Sequence, residues 1–206
     1  LTKQGQSYND PDFVKAANCI KELVDMGAFI DGATGLSNDE ASASFYAEQV
    51  PMYFTGSWMG GSIVTDAEKP DNFAVAPIPV VNSKNASVTD FMGGGSDTLM
   101  VSANTKNKDL AAAAAFEITR GVSKHAYLSG AGIPAWTVDY DASSVPALTQ
   151  QVADIAGKAT SYTLWFDTLM SSDDAGEYLT LLQSLFAGDL KPEEFAASMD
   201  KQLSKK

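Results

Sequence analysis

The chain has 206 residues, 45% hydrophobic and 10% aromatic, enough for one sizeable core or two small ones. Its 26 acidic and 14 basic residues give a formal net charge of -12, a surface that repels nucleic acid and anionic lipid. The single cysteine, Cys19, excludes an internal disulfide, and with one histidine, His125, no zinc cluster and no metal cofactor is expected.

The opening "LTKQGQSYNDPDF" carries neither an initiator methionine nor a signal peptide and reads as a processed or cut start. No apolar run approaches the ~18 residues that span a bilayer. From residue 10 a helix is predicted: Phe13, Ala16, Ala17, Ile20, Leu23 and Val24 follow helical spacing, with Asp10 as N-cap, Pro11 in the first turn and Gly27 as C-cap. Cys19 lies in its apolar register and is expected as a buried, inert thiol. "SNDEASASFYAEQ" predicts a second helix capped by Ser37 or Asn38, leading into an extended "VPMYF" and a Gly-rich turn that carries Trp58.

A strand is predicted over 73–76, ended by Pro77 and Pro79, and another over 97–103. "NKDLAAAAAFEITRG" reads as a helix stopped at Gly121, with a second, short helix after it. "SSVPALTQQVADIAGKA" follows as a helix with Pro146 in its first turn, then "TSYTLWFD" as extended chain. Two amphipathic helices close the sequence, one of them placing Tyr178, Leu181, Leu182, Leu185 and Phe186 on one face. Helices interleaved with short strands, without repeats, give an α/β or α+β pattern.

Catalytic constellations are thin. His125 has no nucleophile motif near it and reads as a surface or capping residue. "GGGSDTLM" lacks the Lys and Ser/Thr of a phosphate loop and reads as a sharp crossing with close backbone approach. Asp173 with Asp174, and Asp139 with Asp141, are poor carboxylate pairs for glycoside hydrolysis and better read as capping and dipole partners. No catalytic residue is assigned, and the chain is not expected to be an enzyme.

The tryptophans stand apart. Trp58, Trp136 and Trp165 all fall in predicted loops or element ends beside glycine, proline or another aromatic. Such a ring can offer one face to the C–H face of a sugar. A platform that removes ~100 Å² of apolar surface from water contributes ~2.5 kcal/mol. Micromolar binding needs about -8.2 kcal/mol net, so two or three platforms with hydrogen bonds are required.

In order and spacing, "YAEQVPMYFTGSWMGGSI", "NFAVAPIPV", "FMGGGSDTLMVSANTKNKDLAAAAAFEITRGVSKHAYLSGAGIPA" and "LLQSLFAGDLKPEEFAASMDKQL" resemble the C-terminal half of the family 1 extracellular solute-binding proteins, the maltose-binding-protein-like sugar receptors of bacterial ATP-binding cassette (ABC) importers. The resemblance implies an α/β fold, the C-terminal lobe of a two-lobed periplasmic-binding-protein-like (type II) architecture, with the chain a fragment. Residues 1–93 and 137–206 would form that lobe, and residues 94–136 would belong to the N-terminal one. It implies an aromatic-lined cleft between lobes: Trp58 as stacking residue, Gly93, Gly94 and Gly95 at the cleft edge, Trp136 in a loop near the ligand, and Trp165 or Phe166 facing the sugar with Asp167 accepting from a hydroxyl.

The implied partners are a carbohydrate and the membrane permease subunits of an importer, with no cofactor and no nucleic acid. The implied location is extracytoplasmic, in the periplasm or lipid-anchored as a lipoprotein at the outer face of the membrane. Strand edges left unpaired favour dimerisation or exchange of segments between chains. Two alternatives stand beside this reading: a carbohydrate-active hydrolase using the tryptophans as subsites, and a binder of polyamine or peptide, which the acidic balance accommodates.

Overall fold

A computed structural model describes residues 7–94 and 97–203. It divides into two compact units, Leu1–Ala41 with Trp165–Lys206, and Ser42–Leu164. Each has its own apolar cluster.

The first unit is a helix assembly. Helix α1, Pro11–Asp25, begins where the Asp10 carboxylate accepts from the Asp12 amide at 2.9 Å, with proline at the position that needs no donor. Helix α2, Asn38–Tyr46, starts in this unit with a capping box: the Ser37 amide donates to Glu40 Oε2 at 2.8 Å, and the Glu40 amide donates to Ser37 Oγ at 3.3 Å. Helix α6, Ser172–Ala187, is capped by Ser171, whose Oγ accepts from the Asp174 amide, so Asp173 and Asp174 sit where a helix dipole favours negative charge.

Helix α7, Pro192–Leu203, packs with α1 and α6 around Tyr8, Ala17, Leu185, Phe195 and Met199. Leu185 and Met199 are 0% and 1% exposed, and burial of each side chain stabilises the fold by roughly 1.5–3 kcal/mol. Phe13 stacks on Phe195 with ring centroids 5.8 Å apart. The segment before α1 is tied to α7 through Asp200, whose carboxylate accepts from Ser7 Oγ at 2.6 Å, the Tyr8 amide at 2.7 Å and Asn9 Nδ2 at 2.7 Å.

The second unit holds helices α3, Met59–Asp66, α4, Lys108–Ser129, and α5, Ala147–Ala156, with strands β1, Asp90–Met92, and β2, Ser161–Thr163. The strands pair in parallel, Phe91 opposite Tyr162. A parallel pair needs a long crossover, and α4 and α5 lie within it. Met59, Ile63, Ala67 and Leu148 form the buried cluster, with Phe45, Tyr46, Tyr53, Phe73 and Val75 packed against them.

Several expectations are corrected. Residues 73–76 form no ladder; Phe73 and Val75 do alternate into the cluster, but the Val75 amide donates to Gln151 Oε1 rather than to a neighbouring backbone. Residues 97–103 form no strand either, and Leu99, Met100 and Val101 are exposed. A strand exists only where another backbone pairs with it, and no described segment runs alongside these two. "VPMYF" likewise carries no ladder, and of "TSYTLWFD" only Ser161–Thr163 is strand, Phe166–Leu169 being a 3₁₀ turn.

Gly121 does not stop a helix. Helix α4 runs through it for 22 residues and ends at Gly130, whose φ of 79° is the left-handed conformation that terminates helices. One glycine costs about 1 kcal/mol, too little to break so strong a run of helix formers. Gly60 and Gly61 are not turn residues but the first turn of α3, and Pro146 is the N-cap of α5 rather than inside it. Cys19 is half-buried rather than sealed. His125 is exposed on α4.

Candidate functional site

Trp58 stands at the N-cap position of α3, in helical backbone conformation and 53% exposed. Its ring lies across Gly56: a Cβ built on that glycine would come within 2.1 Å of the indole Cζ3. The platform thus rests on bare backbone. Behind it, the next residue, Met59, is buried and accepts from the Tyr46 hydroxyl at 3.3 Å, which anchors the start of the helix.

That first turn is also wedged from the other side. The Gly61 amide donates to the Gly130 carbonyl at 2.9 Å. A Cβ on Gly61 would meet the Ser129 carbonyl oxygen at 2.2 Å, and one on Gly60 would meet Thr149 Oγ1 at 2.3 Å. Thr149 is fully buried and its hydroxyl has no hydrogen-bond partner among the described residues. Three glycines let the first turn of α3, the end of α4 and the start of α5 meet backbone to backbone.

Gly93 and Gly94 follow β1 with φ of 122° and 91°, both left-handed. The Gly93 amide donates to the Thr163 carbonyl at 3.0 Å, and a Cβ on Gly94 would lie 3.3 Å from the Cβ of Tyr162. The close crossing expected of this stretch is present at these two; Gly95 lies outside the described residues. Asp90 beside them accepts from Ser161 Oγ and the Ser87 amide, each at 2.7 Å, and the Ser161 hydroxyl above all holds its carboxyl below the usual carboxylate range.

Trp136 is 38% exposed and meets Phe116 of α4 edge to face, centroids 4.8 Å apart. It lines a hollow of about 300 Å³ on α4 together with Arg120, Lys124, Asp139 and Tyr140. Within the same unit Trp58 and Trp136 share no ring contact among the described residues; the two glycines pack with Tyr162 instead.

Trp165, Phe166 and Asp167 belong to the other unit. Trp165 is 41% exposed and precedes the 3₁₀ turn Phe166–Leu169. Phe166 leans on Phe13 and Tyr178, so half its surface is spent on the core rather than offered outward. Asp167 is exposed. Burial pushes the Tyr178 hydroxyl above its ordinary pKa, and the charge of Asp167 adds to this.

Sequence reasoning missed Gly56, Thr149 and the group around Arg120. One signal was available: Arg120 is the sole arginine of the chain, one position before a glycine in mid-helix. Among the described residues no group of three or more His, Cys, Asp or Glu is placed to hold a metal ion, and no helix is long and apolar enough to cross a membrane.

The family model of bacterial extracellular solute-binding proteins matches residues 1–116. A protein solved in work on xylan utilization by the thermophilic bacterium Caldanaerobius polysaccharolyticus is similar over 98% of this chain at 32% identity with a TM-score of 0.90. A chitin oligosaccharide binding protein is similar over 98% of it at 23% identity with a TM-score of 0.83. This chain spans about half the length of each, 52% and 51%, and shares the α/β fold of that half. No curated protein matches the chain.

Proposed function

The chain belongs to the bacterial extracellular solute-binding proteins, and from that premise we propose that it serves to capture a carbohydrate outside the cytoplasmic membrane and hand it, unchanged, to the permease subunits of an ABC importer. The observation that carries the reading is Trp58: a half-exposed indole laid on a glycine and fixed at a helix start is a ready platform for a pyranose face. Trp165 offers a second, with Asp167, exposed two residues on, as hydroxyl acceptor. Gly93 and Gly94 would form the edge where backbone can approach a ligand. The similar structure from work on xylan utilization supports a carbohydrate as the ligand class.

Residues 94–136 are proposed to belong to a second lobe, residues 1–93 and 137–206 to the first. The exposed Leu99, Met100, Leu110, Ile118 and Val122 support this, because apolar side chains in that number are normally covered. Calorimetric titration with xylo- and chito-oligosaccharides tests the function. With part of the contacts present, this chain binds at roughly millimolar strength or weaker, and Trp58→Ala weakens binding further. A pool of oligosaccharides stays unshortened after long incubation with the chain. Sub-micromolar binding by these 206 residues alone, or shortened products, would sink this reading.

A further inference from the structure

Gly121 stands in the middle of a helix that has no need of it. Its neighbours include strong helix formers, and glycine is a poorer helix residue than alanine. It is not among the glycines with positive φ, and a side chain built on it would meet nothing within 4 Å. Neither backbone conformation nor close packing accounts for it. What lies against it is the hollow of about 300 Å³, at the lower end of the range for ligand pockets.

Glu117, Arg120, Gly121 and Lys124, at i, i+3, i+4 and i+7, form one face of α4 and the floor of this hollow; Trp136, Asp139 and Tyr140 form its wall. Three tethers hold wall to floor. Arg120 and Asp139 form an ion pair at 2.5 Å, Lys124 Nζ sits 4.8 Å above the Tyr140 ring centroid, and the Ala135 amide donates to Ser123 Oγ at 3.0 Å. Phe116 holds Trp136 edge-on, which fixes the indole while leaving part of it bare. Together these contacts shape the hollow.

We propose that it is a second binding site, apart from the Trp58 platform, for a neutral saccharide. Trp136 supplies the stacking face and Gly121 the room for the ring. Arg120 and Lys124 donate, and Glu117 and Asp139 accept; a sugar hydroxyl needs both, since it gives one hydrogen bond and takes others. Two cations offset two carboxylates, so the hollow favours neither anion nor cation, unlike a chain whose net charge is -12. The ligand class rests on the carbohydrate reading above; the site itself rests on the geometry of α4 and its wall.

The test is an NMR titration of the whole chain with cellobiose, the indole N–H signals of Trp58 and Trp136 serving as separate reporters, and with glucuronate and spermidine as charged probes. The Trp136 and Gly121 signals should shift saturably with cellobiose, and Trp58→Ala should leave that curve unchanged. Gly121→Leu, a helix-favouring plug, should weaken the Trp136 response at least tenfold without lowering the melting temperature, whereas Gly121→Ala should have a smaller effect. A Trp136 curve that survives Gly121→Leu, or a response at Trp58 with none at Trp136, overturns the second site and leaves the main reading standing. Saturation by glucuronate or spermidine in preference to cellobiose overturns the neutral class. Silence at both indoles overturns the second site, and the calorimetric titration with xylo- and chito-oligosaccharides decides the main reading separately.

Discussion

Helices α6 and α4 are both long, but α6 buries Leu185 completely and takes part in a core shared with α1 and α7, whereas none of the 22 residues of α4 is buried. Leu110, Phe116, Ile118 and Val122 of α4 are 47–69% exposed. Helix propensity is high in α4, with five successive alanines. Propensity and burial are thus separate sources of helix stability, and each of these helices relies mainly on one of them.

The largest effect expected from breaking this comparison is at Leu185. Leu185→Ala leaves a cavity in the first unit and should cost about 2–5 kcal/mol in denaturant unfolding. Val122→Ala on α4 should lie within about 0.5 kcal/mol of zero. Similar losses at both positions would mean that α4 is covered in solution.

Next comes Gly61→Ala, which drives a Cβ to 2.2 Å from a backbone carbonyl and should cost about 1–3 kcal/mol, far more than a surface substitution. Gly121→Ala, with open space around it, should instead stabilise by about 0.5–1 kcal/mol. Thermal melts of the two variants make the contrast within one unit: the same chemical change, opposite signs.

The third expectation concerns acid. The Ser7 hydroxyl above all, with the Tyr8 amide and Asn9 behind it, holds the Asp200 carboxyl below the usual carboxylate range. A depressed folded-state pKa contributes stability above the unfolded-state value, and that contribution is lost as pH falls through the folded one. Asp200→Asn should therefore flatten the acid side of the stability profile and leave less difference from wild type at low pH than at neutrality. The effect belongs to the first unit, since Asp200 ties Ser7, Tyr8 and Asn9 to α7.

How much of this was legible depended on how far apart the partners lie in the sequence. Helix α1, with Asp10, Pro11 and Gly27 at its ends, and the capping box at Ser37 and Glu40 are local devices and can be read directly. The strands predicted at 73–76 and 97–103 failed because a ladder is a property of two segments and only one was in view. Gly121 misled for a related reason: a glycine ends a helix only if the chain turns left-handed there, which Gly130 does and Gly121 does not.

The site divides in the same way. That Trp58, Trp136 and Trp165 keep bare surface follows from their small or irregular neighbours. That Phe166 is partly absorbed by Phe13 and Tyr178 depends on contacts with residues far away in the chain.

The amide-to-carbonyl link between Gly61 and Gly130 has a mechanical meaning. With no side chain between them, the two backbones leave no room for a larger residue, and Tyr46 and Thr149 brace the same turn of α3 from other sides. The indole ahead of that turn takes its position from the ends of three helices, so a side chain added at Gly60, Gly61 or Gly130 would reach Trp58 without touching it.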